Sequence, residues 1–168
     1  SSEINFPTSD SKIWFDAMVS KGWCTPEWPV EYGGGGLSFE QAKILRSRLK
    51  FFGCRPAQIN FGITMLGPVI LEFGTDDQKK EFLPKISRGE ILWCQGFSEP
   101  GAGSDLANVS TSAELKGNEY IINGSKIWTS EANKADWMYC LVRTAKTKKK
   151  QAGISFILLN LRQPNIDI

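Results

Sequence analysis

Ile91-Leu92-Trp93-Cys94-Gln95-Gly96-Phe97-Ser98-Glu99-Pro100-Gly101-Ala102-Gly103-Ser104-Asp105-Leu106 is the stretch on which the rest of the chain is organised. Its first seven residues are apolar and aromatic, which predicts a buried strand. Pro100 halts the strand, and glycines then alternate with Ala102 and Ser104. Gly101 and Gly103 are expected to adopt backbone angles that a β-carbon would forbid, so that a ligand can approach the main chain. Ser98 and Ser104 add hydroxyls, and freed backbone N–H groups in such a loop form an anion-binding nest.

Working outward, the chain divides in two. Residues 1–90 read as helical. Ser9-Asp10 is expected to cap a helix with Ile13, Trp14, Ala17 and Met18 on one face, ending near Gly22. Prolines and the Gly33-Gly34-Gly35-Gly36 run mark a loop. Ser38 to Gln41 has the pattern of a capping box, and Ala42, Leu45, Leu49 and Phe52 follow at helical spacing. Residues 59–73 are apolar nearly all round, which predicts a buried helix with a kink at Pro68. Met65, Leu66, Ile70 and Leu71 fit core packing better than an acyl pocket. In the next helix, capped at residues 74–78, Phe82, Leu83 and Ile86 are expected to face inward.

Residues 91–168 change to short strands and turns. Strands are expected over 109–115, 120–122, 137–143 and 154–161, with a turn at Lys116-Gly117-Asn118. Asn123-Gly124 reads as a hairpin turn, which would bring residues 125–129 back as a strand. That places Trp128 and Ser130 on a strand beside residues 95–98, in one wall. The fold class expected is α+β: an all-α bundle over residues 1–90, then an antiparallel β-domain over 91–168 whose sheet is incomplete at residue 168.

Composition narrows the chemistry. The 168 residues contain no histidine, which excludes Ser-His-Asp and Cys-His catalysis and every histidine-ligated metal site. The four cysteines are scattered without a C-x-x-C pair, as expected of buried thiols in a reducing compartment rather than a metal site. A net charge of +2 gives no footprint for nucleic acid or an anionic membrane. No run approaches a transmembrane helix and the first residues lack a signal-peptide pattern, so the expectation is cytoplasmic.

The strings E-P-G-A-G-S-D at residues 99–105 and N-G-S-K-I-W at 123–128, with the spacing between them, make the chain resemble an acyl-CoA dehydrogenase. F-G-T-D-D-Q-K at 73–79 and F-L-P-K-I-S-R-G-E at 82–90 extend the resemblance over nearly the whole chain. The resemblance implies FAD against the β-domain and an acyl-CoA thioester as substrate, in fatty acid or lipid metabolism. It also implies an electron-transfer acceptor protein and a homo-oligomer in the full-length form. Gln95, Phe97 and Ser98 would run beside the flavin, with Ser98 bonded to the pyrimidine end. Gly103 and Ser104 would lie near the cofactor, and Ser104 also near the CoA part of the substrate. Trp128 would pack against the flavin, and Thr129 and Ser130 would contact it, Ser130 near N5. A flavin needs such an aromatic wall and hydroxyl donors. Ser98 and Ser130 stand where the family often has threonine, and Gln95 where it often has an aromatic residue.

The resemblance assigns no catalytic residue within 1–168, because the family's glutamate base usually comes from a C-terminal helical domain. Glu99 and Asp105 are expected to be structural. Alternative readings are an acyl-CoA oxidase or flavin monooxygenase on the same fold, or a non-catalytic partner subunit.

Overall fold

The computed structural model describes residues 4 and 6–168. They form two compact units, Ser1–Leu92 and Trp93–Ile168. In the first, α1 spans Ser9–Ser20, α2 Phe39–Phe51, α3 Gly67–Phe73 and α4 Asp76–Ser87. Three of these helices open with a reciprocal capping box: Thr8 with Ser11, Ser38 with Gln41, and Thr75 with Gln78. Each box satisfies two backbone donors that the first turn leaves unpaired.

The inward faces depart from expectation at particular residues. The cap of α1 is Thr8, one residue before Ser9, and Phe15 and Met18 are buried while Ile13 is exposed. Phe52 is likewise exposed. Residues 59–73 are not one buried helix. A π-type turn at Gly62–Leu66 precedes α3, Pro68 falls in its first turn, and only one side is covered. Leu66 and Ile70 are buried there, whereas Ile59 and Phe73 are exposed. Gly67 is required by a close approach, because a β-carbon on it would lie 2.2 Å from the Trp28 ring. In α4 Phe82, Leu83 and Ile86 are buried as the spacing predicts. Burying a Leu or Ile side chain fully contributes roughly 1.5–3 kcal/mol.

The second unit is a five-stranded sheet: β1 Trp93–Gly96, β2 Ser112–Lys116, β3 Glu119–Asn123, β4 Trp137–Arg143 and β5 Ile154–Asn160. The sheet is mixed rather than wholly antiparallel. β4 is central: β1 runs parallel to it in the register Trp93↔Trp137 to Gly96↔Cys140, and β5 runs antiparallel along its other edge. β2 joins β4 in parallel at Ser112↔Arg143 and forms a hairpin with β3. Alternation sends Cys94, Met138, Cys140 and Val142 into a core with Ala113, Ala135 and Leu161. The opposite face carries aromatic rings. Trp93 and Trp137 lie 5.5 Å apart, and Tyr139 stacks on Phe156 at 5.8 Å.

Candidate functional site

Beyond β1 the chain turns at Glu99-Pro100-Gly101-Ala102, closed by two backbone hydrogen bonds of 3.0 Å between Glu99 and Ala102. Proline suits the second position of such a turn because its φ is preset. Gly101 and Gly103 do not adopt positive φ. A β-carbon on either would meet nothing within 4 Å, so these glycines leave open space rather than relieve backbone strain.

Glu99 itself points inward and is 3% exposed. Its Oε2 accepts from Ser110 N at 2.7 Å and Ser110 Oγ at 2.8 Å. Its Oε1 accepts from Thr111 N at 3.0 Å and from Lys126 Nζ at 2.7 Å. The Lys126 ammonium also donates to the carbonyls of Phe97 at 3.2 Å and Leu141 at 2.7 Å, so each of its three protons has an acceptor. Burial would raise the Glu99 carboxyl, yet hydrogen bonds from Lys126, Thr111 and Ser110 hold it down at about 2. A carboxylate so engaged is a structural anion and does not accept a substrate proton near neutral pH. Asp105 precedes a short 3₁₀ turn, Leu106–Asn108, and its side chain makes no capping bond.

The second string does not form a strand. The β2–β3 hairpin turns at Lys116 to Glu119, and residues 124–136 run irregularly. Gly124 is needed for another reason: at φ +156° a β-carbon would fall 2.3 Å from Thr111 Oγ1. Past Lys126, Ile127 N donates to Ser98 O at 2.9 Å. Trp128 and Glu131 then take φ of +57° and +66°, a left-handed conformation of order 1–3 kcal/mol for a residue with a side chain. Ser130 N donates to Trp128 O at 3.0 Å, and Ala132 and Ala135 return the chain to the core. The Trp128 side chain is 86% exposed.

Ser98 is thus brought against the segment carrying Trp128, Thr129 and Ser130 by a loop pinned at Lys126, and not by strand pairing. Phe97 is edge-on to Tyr139 at 5.8 Å and to Phe156 at 6.4 Å. Gln95 pairs in register with Tyr139, whose hydroxyl burial pushes up to about 12 in spite of a hydrogen bond from Gln95. Gly103 and Ser104 stand exposed on the loop beyond the turn. The residue types suit a flavin: an exposed indole with the hydroxyl-bearing Thr129 and Ser130 next to it in the chain, on a segment bonded to the Ser98 backbone, and open space at the glycines. Sequence reasoning passed over Lys126, although it lies inside the N-G-S-K-I-W string and a buried Glu99 demands a cation. It also passed over Arg143, which donates to the carbonyls of Ala107 at 2.7 Å and Val109 at 3.0 Å and so fixes the outer loop to β4.

Two family models match the chain: acyl-CoA dehydrogenase, N-terminal domain, over residues 2–90, and acyl-CoA dehydrogenase, middle domain, over residues 94–168. The acyl-CoA dehydrogenase IpdE1 of Mycolicibacterium smegmatis is 43% identical over 95% of this chain and 43% of its own length. IpdE1 of Mycobacterium tuberculosis is 42% identical, over 95% of this chain and 41% of its own length. The chain therefore spans less than half the length of these relatives. Among solved structures, the Tcur3481-Tcur3483 steroid ACAD is 36% identical with a TM-score of 0.72, over 91% of this chain and 39% of that one. The Geobacillus kaustophilus acyl-CoA dehydrogenase is 32% identical with a TM-score of 0.73, over 92% of this chain and 40% of that one. With both of its units matched in order and the two motif strings joined at Glu99 and Lys126, the chain belongs to the acyl-CoA dehydrogenase family.

Proposed function

We propose that this chain carries the flavin-facing part of an FAD-dependent dehydrogenase that introduces an α,β double bond into an acyl-CoA thioester. The observation that carries the reading is the junction of the two strings. The Glu99–Lys126 pair and the Ile127–Ser98 bond hold an exposed indole next to three hydroxyl-bearing residues. When bound, FAD supplies the two-electron acceptor that takes the β-hydrogen as hydride. Ser98 and Ser130 would donate to its polar edge, Thr129 would add a further contact, and Trp128 would wall the ring. Gln95 and Phe97 would flank it from the strand, and Gly103 and Ser104 would admit the phosphates and the CoA portion of the substrate. Removal of the α-proton needs a carboxylate other than Glu99, whose lone pairs are occupied.

Similarity to the Tcur3481-Tcur3483 steroid ACAD supports a bulky, polycyclic acyl group. Likenesses to the ChsE4-ChsE5 complex of Mycobacterium tuberculosis, at 36% identity and TM-score 0.70, and to a structure of the electron transferring flavoprotein of Acidaminococcus fermentans, at 30% and 0.69, support an oligomer that passes electrons to a protein acceptor. Among the described residues no helix is long and apolar enough to cross a membrane, in keeping with a cytoplasmic site of action. A second reading, an oxidase, is favoured only by a likeness to the prolyl acyl carrier protein oxidase AnaB, at 25% identity and TM-score 0.72.

The test is titration of the chain with FAD, followed by addition of a steroid-CoA or straight-chain acyl-CoA without oxygen. FAD should quench tryptophan fluorescence saturably, with much of the quench lost in Trp128→Phe. Acyl-CoA should perturb the visible spectrum of the bound flavin without bleaching it. Quenching that fails to saturate overturns the flavin reading. Bleaching by this chain would show that a carboxylate within it serves as base.

A further inference from the structure

Trp128 is held in a left-handed backbone that residues with side chains seldom enter, yet its exposed side chain packs against little that could hold it there. Locally Ser130 N donates to Trp128 O and closes a tight turn, and the two ends of the segment fix where that turn is held. Downstream, Ala132 and Ala135 lie in or against the core. Upstream, Lys126 is buried among Glu99 and the Phe97 and Leu141 carbonyls, and the next amide bonds Ser98 O. We infer that Lys126 is a positioning residue whose buried ammonium sets the backbone that presents Trp128, in addition to neutralising Glu99. A lysine suits this task because one compact nitrogen reaches three acceptors around a point, which a planar guanidinium does not. Release of the upstream end frees the Ile127 amide from Ser98 and lets Trp128 relax to negative φ. The link to the cofactor rests on the flavin reading above, but the positioning itself does not.

The experiment uses the chain labelled with 5-fluorotryptophan, whose six tryptophans give separate ¹⁹F signals, that of Trp128 being assigned by its loss in Trp128→Phe. The variant is Glu99→Gln with Lys126→Met together, so that no charge is left buried alone. Without FAD, the other five signals should hold while that of Trp128 moves or broadens. With FAD, the dissociation constant should rise about 3- to 10-fold, the loss of one aromatic contact. A Trp128 signal unchanged in a folded variant overturns the positioning role. A moved signal with FAD affinity within about twofold of the parent overturns its link to the cofactor. A moved signal in a chain whose parent binds no FAD leaves the positioning standing and removes the flavin reading. Should the variant fail to fold, hydrogen exchange on the parent decides. The Ile127 amide should be protected to within about tenfold of the β4 amides, and exchange at the rate of an unbonded amide would overturn the inference.

Discussion

The helix caps of the first unit and the loop anchors of the second act over different distances along the chain. In the helical unit the devices that open the helices are local: each capping box closes over three residues, as at Ser38 and Gln41 or Thr75 and Gln78, while Trp14 and Gln58 donate to carbonyls 41 and 29 residues away. In the β unit the devices that pin the candidate site are distant in sequence. Lys126 reaches back 27 residues to Glu99, and Arg143 reaches back 36 to Ala107. Local devices order the segment that contains them, whereas distant ones decide which segments meet, and the candidate site lies where segments meet.

The contrast is broken most strongly at Lys126. Lys126→Met leaves the Glu99 charge buried without its partner, which costs about 3–5 kcal/mol. Urea unfolding should show the loss in the fluorescence of Trp93 and Trp137, with the helical far-ultraviolet signal unfolding later. Leu83→Ala makes the complementary cut, since Leu83 is wholly buried in α4. It should cost about 2–5 kcal/mol and should lower first the helical signal. Acid sharpens the comparison because the Glu99 carboxyl is depressed from 4.5 to about 2. A depressed carboxylate contributes stability that is complete above its unfolded value and is lost as pH falls from about 4.5 through about 2, on the order of 3 kcal/mol in all. Stability measured against pH should fall across that window in the parent and much less in Glu99→Gln. The smallest effect is expected from Thr75→Ala, which removes one helix cap for about 1 kcal/mol. That would lower the melting temperature of the helical unit by roughly 4–8 °C.

The same distinction explains what could be read in the sequence. The boxes at Ser38 and Thr75 and the inward face of α4 were legible because their partners lie within one turn or two. Every paired strand was legible from alternation and turn residues. Asn123-Gly124 misled because its local hairpin signal is overridden by contact with Thr111, which needs a glycine for space rather than for a turn. The parallel pairing of β1 with β4 was hidden since 40 residues separate the two strands. Residues 59–73 read as buried because an apolar run does not reveal which of its sides meets a neighbour. In the candidate site, Ser98, Lys126 and Trp128 all stand inside the strings, but only the folded chain shows that Lys126 is the cation for Glu99, 27 residues away.

The placement of the thiols turns the molecule into its own chemical reporter. Cys24 and Cys54 in the helical unit are half-buried, while Cys94 and Cys140 in the β unit are buried. Burial and the neighbouring Cys140 push the Cys94 thiol up to about 12, and burial raises Cys140 as well. Alkylation proceeds through the thiolate, so a reagent at neutral pH reaches the half-buried pair first, Cys24 the more slowly because burial raises its thiol too, and the second pair only when the sheet opens. Mass spectra taken through such a reaction therefore carry a clock for opening of the sheet.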